Sequence, residues 1–188
     1  DLQADRAVCI AAVQENGLAL EFAAEKLCAE KEIVLAAVNE NGMALEFAAD
    51  TLCSDPDVVL AAVEQDSGAL RFAAHALQRD QEFLMLAMAL NGSALRFVEE
   101  DLRRRKDIAL AAVQQDKSAI RFTDKMLFSD KEFVLPLLEK GLLPWRYVSR
   151  DLWSVRDFVL AAVKIYCGTL QLASEELRAE REVVLAAV

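Results

Sequence analysis

Residues 32–52 read EIVLAAVNENGMALEFAADTL: an apolar run, an Asn-Gly stop, a second amphipathic run and a closing Leu. The pattern recurs at a step of 25 residues without insertion or deletion. Ala-Ala-Val stands at Ala11–Val13, Ala36–Val38, Ala61–Val63, Ala111–Val113, Ala161–Val163 and Ala186–Val188. Phe22, Phe47, Phe72, Phe97 and Phe122 keep the step, and Tyr147 and Leu172 continue it. Leu occupies 2, 27, 52, 77, 102, 127, 152 and 177. A fixed period of this size marks a solenoid, in which no unit can bury its apolar face alone. The chain therefore reads as all-α, a superhelical α-solenoid of about seven tandem helix-turn-helix units. The units run 5–29, 30–54, 55–79, 80–104, 105–129, 130–154 and 155–179, one continuous array with partial units at both ends.

In the unit 30–54 the first helix begins near Lys31-Glu32, and Ser54-Asp55-Pro56-Asp57 shows how the next one starts. An Asp cap with acidic first-turn residues satisfies orphan N–H groups and suits the helix dipole. Pro56 fits the first turn, where no N–H is needed. Ile33 to Val38 are apolar on every side, so this helix is expected to form a surrounded inner row. Asn16-Gly17, Asn41-Gly42 and Asn91-Gly92 are expected to end it with a left-handed residue. The second helix, Met43 to Leu52, reads as short and amphipathic. Ala44, Leu45, Phe47, Ala48 and Leu52 form its buried stripe, while Glu46, Ala49 and Asp50 look outward.

These runs, with the partner EVVLAAV at Glu182–Val188, resemble the repeats of the domain-of-unknown-function family numbered 4116. The resemblance covers residues 2–188 and implies a helical-repeat fold with no catalytic residue or cofactor to carry over. The period is also similar to that of the leucine-rich-variant repeats, an analogy of architecture only.

The net charge of −10 is unevenly placed. Residues 1–66 hold 3 basic and 14 acidic side chains, whereas residues 67–170 hold 16 and 13. An acidic end on a mildly basic middle argues against a nucleic-acid binder, whose basic stripe should dominate. Cys28 and Cys53 hold equivalent places and should stack about 9–10 Å apart, too far for a disulfide. Free thiols in a reducing compartment, cytoplasmic or organellar, are expected. No apolar run approaches the roughly 20 residues of a membrane span. The chain opens without Met and stops at Val188 within a unit, which reads as a piece of a longer array or a processed chain.

Departures between units mark what is particular to this chain. The outward place of the second helix is Glu21 and Glu46 early, then Arg71, Arg96, Arg121 and Arg146, with Arg150 beside the last. This ladder is either a solvated face or a docking stripe for an acidic protein or an anionic lipid surface. RNA is disfavoured because no aromatic residue is expected to interleave with it. Pro136 should kink its helix or delay its start, and Trp145 and Tyr147 read as bulky core. Phe128 and Trp153 share a place held elsewhere by Gln3, Cys28, Gln78 and Arg103. With Leu90, Ile165 and Tyr166 they are either a partner contact or buried against the next repeat.

His75 is the lone histidine, on an outward place without ligand spacing around it. No Cys-x-x-Cys, phosphate loop or nucleophile elbow occurs, and a Cys53–His75 pair would have to converge across units. The chain reads as a non-catalytic protein-interaction scaffold with no metal or cofactor. The alternative is a structural, peripheral subunit of a large organellar assembly, such as an algal photosynthetic or respiratory complex.

Overall fold

A computed structural model describes residues 2–188, and among them there are helices and no strand. The fold is an all-α helical-repeat solenoid with the 25-residue step seen in the sequence. By its contacts the chain divides into two compact units, Asp1–Phe122 and Thr123–Val188.

Each repeat has three helical pieces rather than two. In the second repeat these are an α-helix Lys31–Glu40, a 3-10 helix Gly42–Phe47 and a four-residue α-turn Asp50–Cys53. The expected single amphipathic helix is thus broken at Ala48-Ala49, both extended in backbone. The break frees the Ala49 N–H to donate to the Cys28 carbonyl of the preceding repeat at 3.0 Å. Ala24 to Gln3, Ala74 to Cys53, Ser149 to Phe128 and Ser174 to Trp153 repeat the bond at 2.8–3.0 Å. Unbroken α-helix would commit those donors internally.

In the first unit, the long helices Arg6–Glu15, Lys31–Glu40, Pro56–Gln65, Gln81–Leu90 and Lys106–Gln115 pack in series, as do the 3-10 helices beside them. Ile33, Val34, Ala37 and Val38 are fully buried, as are Val58, Val59, Ala62 and Val63. Leu35, Ala36, Leu60 and Ala61 stay half-buried, so the inner helices are not surrounded on every side. In the second unit Lys131–Glu139, Arg156–Ile165 and Arg181–Ala186 follow the same order.

The helix starts that carry an Asp are as the sequence indicates, while Glu30, Arg105, Val155 and Glu180 make no side-chain cap bond. Asp5, Asp55, Asp80 and Asp130 accept from first-turn backbone N–H groups, and Pro56 sits in the first turn. The ends differ. Gly141 is the only described residue with positive φ, so the Asn-Gly pairs do not end helices through a left-handed residue. Asn16 and Asn41 are extended, and each side chain accepts from the N–H two residues on, starting the 3-10 helix. Glycine is required by close approach instead. A Cβ on Gly42 would lie 2.2 Å from the Ala62 carbonyl oxygen of the next repeat, and one on Gly17 2.3 Å from that of Ala37.

Pro136 neither delays nor prevents its helix, which starts at Lys131 like its equivalents. That helix ends at Glu139, one residue short of the others, and Gly141 follows at φ 66°. Successive first helices are also joined by ions. Arg6 reaches Glu30 (2.9 Å) and Glu32, Lys31 reaches Asp55 (2.7 Å) and Asp57 (3.1 Å), and Arg156 reaches Glu180 (2.7 Å) and Glu182. The acidic first-turn places therefore serve the next repeat as well as their own helix.

Candidate functional site

The 3-10 helices of the first unit carry an aromatic row, Phe47, Phe72, Phe97 and Phe122, each half-buried rather than fully buried as the stripe suggested. Phe22, in the first repeat, is 65% exposed. Arg71, Arg96 and Arg121 precede three of these rings in sequence and lie over them. The Arg71 guanidinium is 5.5 Å from the Phe72 centroid and 5.2 Å from that of Phe97, so it bridges two repeats. Arg96 sits 5.5 Å from Phe97 and Arg121 5.9 Å from Phe122. Aromatic residues therefore do interleave with the ladder, contrary to the sequence expectation. A 3-10 helix brings adjacent side chains to different angles than the α-helix assumed there, and a guanidinium over a ring face is held by the ring quadrupole.

Arg71, Arg96, Arg121, Phe97 and Phe122 line an open trough of about 520 Å³, together with Met43, Asp66, Ser93 and Ser118. All three arginines are exposed, and none takes part in a salt bridge among the described residues. By contrast, Arg6, Arg79 and Arg156 at the repeat edges are each held by two carboxylates. Arg71 Nε donates to the Gly68 carbonyl at 3.0 Å. That bond aims the rest of the guanidinium.

Asp66 in the trough and Asp116 beside it are both engaged by neighbouring donors. Asp116 accepts from the hydroxyls of Ser93 (2.7 Å) and Ser118 (2.6 Å) and from the Ser118 N–H (2.8 Å). The Ser118 and Ser93 hydroxyls and the Ser118 N–H hold its carboxyl below the usual carboxylate range against a smaller effect of burial, with the Arg121 charge adding to the shift. Asp66 accepts from the Gly68 N–H at 2.7 Å. The seryl hydroxyls fix Asp116 and the Gly68 N–H fixes Asp66, and the guanidinium groups remain the outward chemistry.

In the second unit Arg146 lies 5.3 Å over Tyr147 and is exposed, as is Arg150. Trp145 and Tyr147 are half-buried rather than core. Phe128 and Trp153 are the opposite case. At 8% and 6% exposure they are core and present no contact surface. Phe128 packs on Phe133 and Tyr147 with centroids 6.2 and 5.6 Å away, and Trp153 on Trp145 and Phe158 at 6.1 and 5.2 Å. Their place faces inward, under the 3-10 helix.

Cys28, Cys53 and Gln78 hold that same place and donate to carbonyls at the end of the 3-10 helix. The Cys53 thiol reaches Leu45 (3.6 Å) and Ala48 (3.8 Å), and Gln78 Nε2 reaches Leu70, Arg71 and Ala73 at 2.9–3.2 Å. Burial pushes the Cys28 and Cys53 thiols up, which suits a structural rather than a nucleophilic role. Where the aromatics replace these donors, the turns Lys125–Ser129 and Arg150–Ser154 are 3-10 rather than α.

Of the remaining candidates, Leu90 and Tyr166 are exposed and Ile165 is half-buried. The Tyr166 ring stacks on Trp145 at 6.4 Å and covers Gly168, where a Cβ would meet it at 2.6 Å. His75 is exposed, with Nε2 3.7 Å from Glu99. No group of three metal-ligating side chains occurs among the described residues, nor a helix long and apolar enough to cross a membrane.

The family described as Domain of unknown function (DUF4116) matches at residues 5–53, 30–78, 55–103, 80–128 and 155–188, the first four windows 25 residues apart and the fifth 75 further on, over most of the chain. The chain belongs to the DUF4116 family. Between the fourth and fifth windows 129–154 are left unmatched, the segment that holds Pro136, Pro144, Trp145 and Trp153. The trough lies wholly within matched DUF4116 repeats, but its arginines are a feature of some of them only, since Glu21 and Glu46 stand there earlier. No curated protein and no solved structure matches the chain.

Proposed function

We propose that this DUF4116 protein is a non-catalytic interaction scaffold, and that its trough docks an acidic segment of a partner protein. One observation carries the reading: Arg71, Arg96 and Arg121 are held on aromatic rings and make no salt bridge among the described residues. Other arginines in the same unit are neutralised by ion pairs. A guanidinium held on a ring face loses little freedom on binding a carboxylate and presents a planar fork suited to it. A recessed trough favours a chain that can enter it over a flat bilayer of anionic headgroups. Nucleic acid is disfavoured because the rings lie beneath guanidinium groups rather than bare for stacking, on a chain of net charge −10.

Binding to poly-L-glutamate, followed by fluorescence anisotropy, tests the reading. Reversing Arg71, Arg96 and Arg121 to Glu together should abolish binding, and raising salt to about 0.5 M should weaken that of the parent protein through screening. Equal binding by the reversed variant overturns the proposal. So does tighter binding of the parent protein to phosphatidylserine vesicles than to poly-L-glutamate.

A further inference from the structure

We propose that the segment occupying the trough is in the polyproline II conformation and carries a carboxylate at every third residue. This rests on the acidic-segment reading above and adds the ligand's register and backbone shape.

The step of the site comes from helix packing. Arg71, Arg96 and Arg121 hold equivalent places in successive repeats whose helices pack in series, so they recur about every 9–10 Å. A bound chain must present its acids on one side at that spacing. A β-strand puts same-side residues roughly 6.7 Å apart, or about 13 Å if every second one is skipped. Neither keeps pace with the ladder beyond the first contact. Polyproline II has three residues per turn at about 3.1 Å each, so every third side chain returns to one face after roughly 9.3 Å. That repeat falls within the step of the ladder.

An α-helix would also return a residue to the same face after seven positions, about 10.5 Å, but it is 10–12 Å across with its side chains. The trough has a volume of about 520 Å³ and spans two repeat steps, roughly 20 Å. That is narrow for a helix, whose repeat of about 10.5 Å also overshoots the ladder at each step.

A polyproline II segment also has little conformational entropy left to lose on binding. Arg71 is fixed between two rings and by its bond to the Gly68 carbonyl, so the first contact sets the register for the next two.

The test uses the whole chain and labelled synthetic peptides at low salt, read by anisotropy beside poly-L-glutamate. One peptide is four Glu-Pro-Pro triplets. A second has the same composition with its glutamates adjacent, and a third replaces every Glu of the first by Gln. The triplet peptide should bind about tenfold or more tighter than the clustered isomer, since clustering aligns one carboxylate where the triplet aligns three. It should also lose most of its affinity for Arg96→Gln, whose helicity is checked by circular dichroism. If triplet and clustered peptides bind alike, the register inference fails while the acidic-segment reading stands. If the Gln peptide binds as well as the Glu peptide, or no acidic ligand binds at all, both fail.

Discussion

Trp153 and Phe128 occupy a place where other repeats carry a thiol or an amide that donates to backbone carbonyls. They fill the same inward space with rings packed on Phe158 and Phe133. Trp153→Ala should therefore cost about 3–5 kcal/mol, as aromatic truncation in a core does. Thermal melting followed by circular dichroism measures it, and an unchanged midpoint would return Trp153 to the surface. Asp116 is a second residue with a measurable consequence. Its folded carboxyl lies below the ordinary value because Ser118 and Ser93 donate to the charged form. The stability this contributes is present above about pH 4, the unfolded value, and is lost as pH falls through the depressed folded one. Urea titrations between about pH 5 and pH 2 should show a shallower acid loss in the Ser93→Ala, Ser118→Ala double variant than in the parent.

The distinctive element is the break between the 3-10 helix Gly42–Phe47 and the turn Asp50–Cys53. Ala49 has φ −63° and follows an extended residue, a backbone that proline accepts without strain. Ala49→Pro would then stabilise by about 0.4–1 kcal/mol if only chain entropy changed. It also removes the donor to the Cys28 carbonyl and sets a ring against it. The expected result is a loss of about 1–3 kcal/mol, the cost of an unmade bond at a packed junction. The sign of the change in urea midpoint decides whether this bond joins the repeats. At the neighbouring junction, the absent Cβ of Gly42 allows the 3-10 helix to approach the next repeat's carbonyl.

For the whole molecule, the division into Asp1–Phe122 and Thr123–Val188 bears on where the function sits. Every residue lining the trough falls in the first unit. That unit holds four complete repeats and most of a fifth, more than the three a solenoid needs for stability. Residues 1–122 expressed alone should keep a helical spectrum, melt cooperatively and bind poly-L-glutamate with the parent affinity. Loss of binding with helicity retained would place part of the site in the second unit.

The 25-residue period, the all-α class, the Asp-capped helix starts and the inward Ala-Val faces could be read from residue order, because each is a local or strictly repeated signal. The arginine ladder was legible too, since equivalent places in a repeat array need no coordinates to be listed side by side. Its aromatic partners were not, because the second half of each repeat winds as 3-10 helix and then breaks, which an α-helical wheel misplaces. Asn-Gly was misread for a related reason: a left-handed stop and a site of close approach both ask for glycine, and only the distance to Ala62 tells them apart. Phe128 and Trp153 stood among polar neighbours in the alignment of repeats, yet face inward, because what that place requires is a filled space beneath a helix end. Tertiary packing decided these points, since each depends on contact with the next repeat rather than on the chain's own neighbours.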